Sequence, residues 1–237
     1  MVVDVSLHDV RHALVELGRL RFGEMKVEDA IREIVHTTHS MFHVDGAGLM
    51  LADADQHLRS VAASDARLTH LEELQIKHQE GPCIDAFETK QLVGVEDLAD
   101  DHRWPLFSDA AVARQVRAVL ASPIPYNQYA VGVVAVLSEQ SRPWSPEGEL
   151  ALLAFTDLAA LLIASMMMGE EQSELSTQLQ TALNSRQIIE QAKGVLIGTR
   201  GISARAAYEQ LRAQARAERR KLAAVSAELV NSAAHGL

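Results

Sequence analysis

The chain is poor in the features that announce many protein classes. One cysteine, Cys83, stands among 237 residues, so no disulfide can close within the chain. That fits a reducing compartment. The longest apolar stretch, residues 158–168, is interrupted by Ser165 and is too short to span a bilayer. The first twenty residues carry early acids and scattered polar groups. They lack the basic start and unbroken apolar run of a secretory leader, so a soluble, cytoplasmic protein with no membrane partner is expected. A glycine-rich phosphate loop is missing, because Gly46-Ala47-Gly48 carries nothing else of such a fingerprint. Neither a nucleophile elbow nor a zinc-hydrolase pattern occurs, so nothing points to an enzyme, and no residue presents itself as catalytic. Aromatic residues make up only 4% of the chain, and Tyr208 is the one aromatic after Phe155.

What the chain does have is enough apolar content, 48%, to build a core. Leu7, Val10, Leu14 and Leu17 recur at helical spacing within an N-terminal segment 1–23. A second helix carries Ala30, Ile31, Ile34, Val35, Thr38, Met41 and Phe42 on one side. From Gly46 the pattern turns to strands. Residues 47–53 and 58–65 read as a hairpin around Asp53, Asp55 and Gln56, and further strands read at 91–97, 117–124 and 130–139. Helical stretches at 70–78 and 105–115 lie between them. Short strands mixed with helices predict an α+β domain with a largely antiparallel sheet flanked by helices, over residues 24–165.

Ser145-Pro146-Glu147 is a helix start, with a capping hydroxyl followed by proline in the first turn. The helix is predicted to run from 145 to 182. Ala154, Leu161, Met168, Leu175, Ala182, Ile189 and Leu196 repeat every seven residues, with Leu158 and Leu179 as companions. This heptad predicts a coiled-coil seam in a homodimer, centred on Leu161, Met168, Leu175 and Leu179. A long amphipathic helix packed on its own domain is the alternative.

Charge is divided unevenly along the chain. Up to Ser165, 13 Lys/Arg face 25 Asp/Glu, a net of −12; from Leu183 on, 9 Lys/Arg face 4 Glu, a net of +5. Phosphate binding follows local basic charge rather than whole-chain charge, so the segment 183–237 is a candidate nucleic-acid binder. It reads as three helices. On the first, Ile188, Ile189, Ala192, Val195 and Leu196 form the buried face, while Arg186 and Lys193 fall on an exposed neighbouring face that Arg200 would extend. On the second, Arg205, Arg212 and Arg216 line up beside an apolar stripe, and Arg219, Arg220 and Lys221 make a basic corner before the third. Tyr208 lies on that stripe and either packs or stacks on a base.

The run Arg186-Gln187-Ile188-Ile189-Glu190-Gln191-Ala192-Lys193-Gly194-Val195-Leu196-Ile197, with Ala207-Tyr208, Leu211-Arg212 and Ala215 downstream, resembles an ANTAR domain. Residues 24–165, with Gln79-Glu80-Gly81-Pro82-Cys83 and Trp144-Ser145, resemble the GAF sensory modules of actinobacterial GAF–ANTAR regulators. The resemblance implies a GAF-like sheet, a long linker helix and a C-terminal three-helix ANTAR module. It implies an antiterminator that binds paired hairpins in leader transcripts as a dimer. The RNA contacts would fall at Arg186, Lys193, Gly194, Arg200, Arg205, Arg212, Arg216, Arg219, Arg220 and Lys221. The basic run Arg219-Arg220-Lys221 departs from the small or polar loop usual in the family, as Ala204-Arg205 departs from its acidic start of the second helix.

GAF folds cradle small molecules, so a small-molecule ligand of the sensory domain is expected, but no residue identifies it or any cofactor. Cys83 would lie beside the sensory pocket, as a redox-sensing thiol, a ligand contact or a small buried hydrophobe. His36, His39 and His43 share one helical side without a further ligand at metal-binding spacing, and no metal site is expected. Asp97, Asp100, Asp101 and His102 read as a solvated acidic loop. Two other readings keep this architecture. A DNA-binding helix–turn–helix in the tail would prefer duplex DNA, and a protein-interaction scaffold would bind no nucleic acid.

Overall fold

The computed structural model describes residues 5–19, 25–127, 129–167 and 174–235. Two compact units emerge: Met1–Leu51 with Leu58–Thr177, and Ala52–His57 with Gln178–Leu237.

The first unit opens with α1 (Leu7–Arg19) and α2 (Val27–Phe42). Ser6 and Asp9 form a capping box at the start of α1: Ser6 N donates to Asp9 Oδ2 at 2.9 Å, and Asp9 N donates to Ser6 Oγ at 3.2 Å. The buried side of α1 is Ala13 and Leu17, whereas Leu7 and Leu14 are exposed, so the predicted stripe is rotated by about a residue. Every apolar residue predicted for the inner side of α2 is buried.

A five-stranded sheet follows in the order β2-β1-β5-β4-β3, from β1 (Gly46–Ala52), β2 (Leu58–Ala63), β3 (Val93–Val95), β4 (Ala118–Tyr126) and β5 (Tyr129–Ser138). The pairings of β1 with β5, β5 with β4 and β4 with β3 are antiparallel. Side chains alternate across the sheet. Val119 and Leu137, paired across β4 and β5, face a core shared with Leu68 and Leu71 of α3 (Ala66–His78) and with Phe107 and Ala111 of α5 (Pro105–Val112). Ser122 turns to the opposite face and is hydrogen-bonded at 3.0 Å to Thr156 of α6 (Pro146–Met167). The α+β architecture is therefore the one expected.

A further helix was not expected: α4 (Pro82–Thr89), where Gly81-Pro82 reads as a turn. Proline is well placed in a first helical turn, where its missing N–H costs nothing. Ser145 caps α6, its Oγ accepting from Gly148 N at 3.0 Å.

The second unit holds α7 (Glu174–Arg200) from Gln178 onward, with α8 (Ala204–Glu218) and α9 (Leu222–His235). Their shared core is Ile189, Ala192, Leu196, Ala207, Leu211, Ala215, Leu222 and Val225. Helix α7 crosses residues 182–183 without interruption and continues to Arg200, where Gly201 at φ 64° ends it. Of the heptad positions, Leu161 is exposed on α6, while Ile189 and Leu196 are spent on the three-helix core. Met168 and the side chains of Leu175 and Leu179 lie outside the described residues.

Candidate nucleic-acid interface and sensory core

The basic residues predicted for the tail are not equally available. Arg200, Arg205, Arg216, Arg219, Arg220 and Lys221 are exposed, as is Gly194. Arg212 is half-buried and lies 3.9 Å from Glu209. Lys193 is half-buried, its Nζ donating to both oxygens of Glu190 at 2.8 and 2.9 Å. Arg186 overturns its predicted exposure. It is only 8% exposed, its Nη1 donates to Gln56 Oε1 at 2.8 Å, and its Nε lies 3.3 Å from Glu190 Oε1. Local periodicity put it on a solvent-facing row, but Gln56, which covers it, lies 130 residues away in sequence, beyond the reach of any helical wheel.

The corner between α8 and α9 has a definite shape. Arg219 sits in the left-handed region at φ 53° as the C-cap of α8, with its N–H donating to Arg216 O at 3.2 Å, and Arg220 N donates to Ala215 O at 3.0 Å. Arg220 is held by Glu218 at 2.9 Å and Glu228 at 2.7 Å, and these carboxylates raise its pKa. Tyr208 packs against the three-helix core and donates its hydroxyl to Asp55 O at 3.3 Å, so its ring serves packing.

In the sheet-and-helix unit, α3 places Leu68, Leu71, Glu72 and Gln75 inward. This is the spacing of a buried helical stripe, yet two of the four are polar. Gln75 is accounted for. Its Oε1 accepts from Cys83 N at 2.8 Å, at the start of α4, and its Nε2 donates to Cys83 Sγ at 3.3 Å. Gly81, at φ 133°, lets Gln75 come this close, since any Cβ there would overlap the amide. Glu80 completes the motif by accepting from Phe107 N at 2.9 Å. The 79–83 run thus splices α3, α4 and α5 together.

Cys83 is 1% exposed, and burial, with a further push from the Glu72 charge, raises its thiol to about 12. A thiol so placed carries almost no thiolate at neutral pH, which is the reactive form.

Glu72 was not singled out by the sequence. It is 1% exposed, and neither carboxylate oxygen has a hydrogen-bond partner among the described residues. Burial pushes its pKa up to about 8. The Ser60 hydroxyl is near enough to oppose that slightly, without reaching hydrogen-bond geometry. Gly48 on β1 makes room for it, since a Cβ there would collide with Glu72 Oε1. The signal available in sequence was an acid at the 72 position of a 68-71-72-75 stripe.

Elsewhere the candidate polar clusters are tied up internally. Asp97 pairs with Arg117, and Asp101 with Arg103 at 2.6 Å, so the acidic loop is cross-linked. His43 caps α2 at φ 48° and lies 3.4 Å from Asp9. No group of three or more His, Cys, Asp or Glu is arranged for a metal ion among the described residues, nor is any described helix long and apolar enough to cross a membrane.

An antiparallel sheet between helical layers, with a polar group sealed inside it, joined in one chain to a basic three-helix module, is the build of a sensor-and-effector regulator. Family models agree: residues 26–163 match the GAF domain and 177–230 the ANTAR domain. The chain belongs to the GAF family and is a GAF–ANTAR regulator, a signal-responsive protein whose two domains are regulatory rather than catalytic. No curated protein matches it. Among solved structures it is similar to the GAF domain of an Acinetobacter phosphoenolpyruvate-protein phosphotransferase, at 17% identity and TM-score 0.53, covering 67% of this chain and 92% of that one. The corresponding domain from Coxiella burnetii gives 15%, 0.53, 67% and 92%. A domain of a putative two-component sensor histidine kinase from Sinorhizobium meliloti gives 14%, 0.52, 61% and 95%. Identities this low speak for the fold alone.

Proposed function

We propose that this chain is an RNA-binding transcription antiterminator, cytoplasmic and homodimeric, whose ANTAR domain grips paired hairpins of a leader transcript under control of a small molecule held by the GAF domain. The observation that carries the reading is the exposed set Arg200, Arg205, Arg216, Arg219 and Lys221 on a small helical unit inside the ANTAR match. Several exposed cations on one small unit can meet several phosphates together, and each phosphate met releases counterions. Gly194 adds a second kind of support. It is exposed within α7, and a Cβ there would meet nothing within 4 Å. Internal packing does not call for a glycine here, whereas a partner backbone passing close to the helix would.

The test is binding of a two-hairpin leader RNA against duplex DNA of similar length over a salt series, with Arg216→Ala/Lys221→Ala alongside. The expected result is RNA-preferring binding that weakens with salt, and a salt slope reduced by about one per lost cation in the variant. Duplex preference would establish a DNA-binding regulator instead. Salt-insensitive behaviour, or no binding to either with and without candidate ligands, would leave a protein-interaction scaffold.

A further inference from the structure

The turn joining β1 to β2, residues 52–57, belongs to the second compact unit together with Gln178–Leu237. Its own geometry is tightly determined. Asp53 Oδ1 accepts from Asp55 N at 2.9 Å and from His57 N at 3.0 Å, Gln56 N donates to Asp53 O at 2.9 Å, and Asp53 N donates to His57 O at 2.8 Å. Gln56 is thereby held at φ 65°, a left-handed conformation that points one particular side chain out of the turn.

That side chain is 8% exposed and uses both ends of its amide on α7. Nε2 donates to Ala182 O at 3.0 Å, and Oε1 accepts from Arg186 Nη1 at 2.8 Å. A second tie comes from α8, where Tyr208 donates to Asp55 O at 3.3 Å. Arg186 opens the stretch that carries the ANTAR resemblance, and its side chain is 10% exposed. A phosphate cannot reach a guanidinium so covered.

We propose that the turn 52–57 is an autoinhibitory latch, in which Gln56 and the Tyr208–Asp55 bond keep Arg186 from RNA until the turn lets go. The inference rests on the reading of the three-helix unit as an RNA binder. A neutral amide suits the role. It holds one end of a guanidinium whose Nε faces Glu190, yet a phosphate, which carries charge and can accept two parallel bonds, makes the stronger pair once it has access. The turn continues directly into β1 and β2, which gives a change in that hairpin a route along the chain to the latch.

The experiment uses the full chain: Gln56→Ala, Gln56→Glu, Tyr208→Phe and Gln56→Ala/Arg186→Ala, each titrated with a two-hairpin RNA at low salt. Gln56→Ala and Tyr208→Phe should bind about fivefold tighter or more, within the range of ordinary coupling between sites. Gln56→Glu, which gives Arg186 a second charged partner beside Glu190, should bind more weakly than wild type. The double variant should lose the gain of Gln56→Ala. Hydrogen exchange over 52–57 and 182–190 should quicken in Gln56→Ala. Wild type binding RNA with Gln56→Ala equal or weaker overturns the latch while the RNA reading stands. No binding by any form overturns the RNA reading, and the latch with it. Unchanged hydrogen exchange in Gln56→Ala overturns the latch independently of RNA.

Discussion

Glu72 shows what a single buried residue can impose. Sealing a carboxyl group away from donors disfavours its charged form, and here its pKa rises from 4.5 to about 8. The folded chain therefore holds this proton more tightly than the unfolded chain does, so stability is fullest below pH 4.5 and declines as pH rises toward 8. The loss amounts to a few kcal/mol over that interval, since each tenfold difference in proton affinity is worth about 1.4 kcal/mol. Thermal unfolding at pH 5 and pH 8 should show it, and Glu72→Gln should flatten the difference because its amide never ionises. A slope as steep in Glu72→Gln as in wild type would mean that another group is responsible. Gly48 faces the same site: Gly48→Ala should destabilise the fold, and combining it with Glu72→Ala should recover part of the loss, as contacting residues are non-additive. Cys83 stands beside them with its thiol pushed to about 12. It should react with thiol reagents at neutral pH only as fast as the domain opens, far more slowly than a free thiol.

At the scale of elements, most of the sheet was legible in the sequence because its strands are short apolar runs bounded by turn residues. Helix α4 was not, since a Gly-Pro pair marks a turn and a helix start equally well. The heptad through Ile189 and Leu196 was also ambiguous. Over two or three turns, a period of 3.5 and one of 3.6 differ too little to separate a dimer seam from the inner face of a three-helix core. The α8–α9 corner gives a prediction with two opposite signs. Arg219 carries a side chain at φ 53°, where L-residues pay about 1–2 kcal/mol and glycine does not. Arg219→Gly should therefore raise stability by about 1 kcal/mol in denaturant melts. If Arg219 meets phosphate, the same change should weaken RNA binding and lower the salt slope by about one. A gain in both stability and affinity would remove Arg219 from the interface.

For the whole molecule, the proposed homodimer needs a surface on which two copies would meet. Helices α1 and α6 both pack on α2, and each leaves apolar side chains in solvent: Leu7, Leu14 and Val15 on the first, Leu150, Leu153 and Leu161 on the second. Single exposed leucines are common, but two groups on helices that pack on the same neighbour are candidates for a surface that a partner covers. Leu161, on the predicted seam, is 68% exposed. Leu161→Glu would set like charges against each other across a two-fold seam, so it should shift the protein toward monomer in sedimentation experiments at micromolar concentration. Its fold should be untouched, because the side chain already faces water. Paired hairpins reward paired binders: linking two modest sites multiplies affinity through effective concentration. The monomeric variant should accordingly lose about 100-fold in affinity for a two-hairpin RNA while keeping wild-type affinity for a single hairpin. Equal losses on both RNAs would place the damage in the RNA-binding unit itself, and an undisturbed dimer would move the seam away from Leu161.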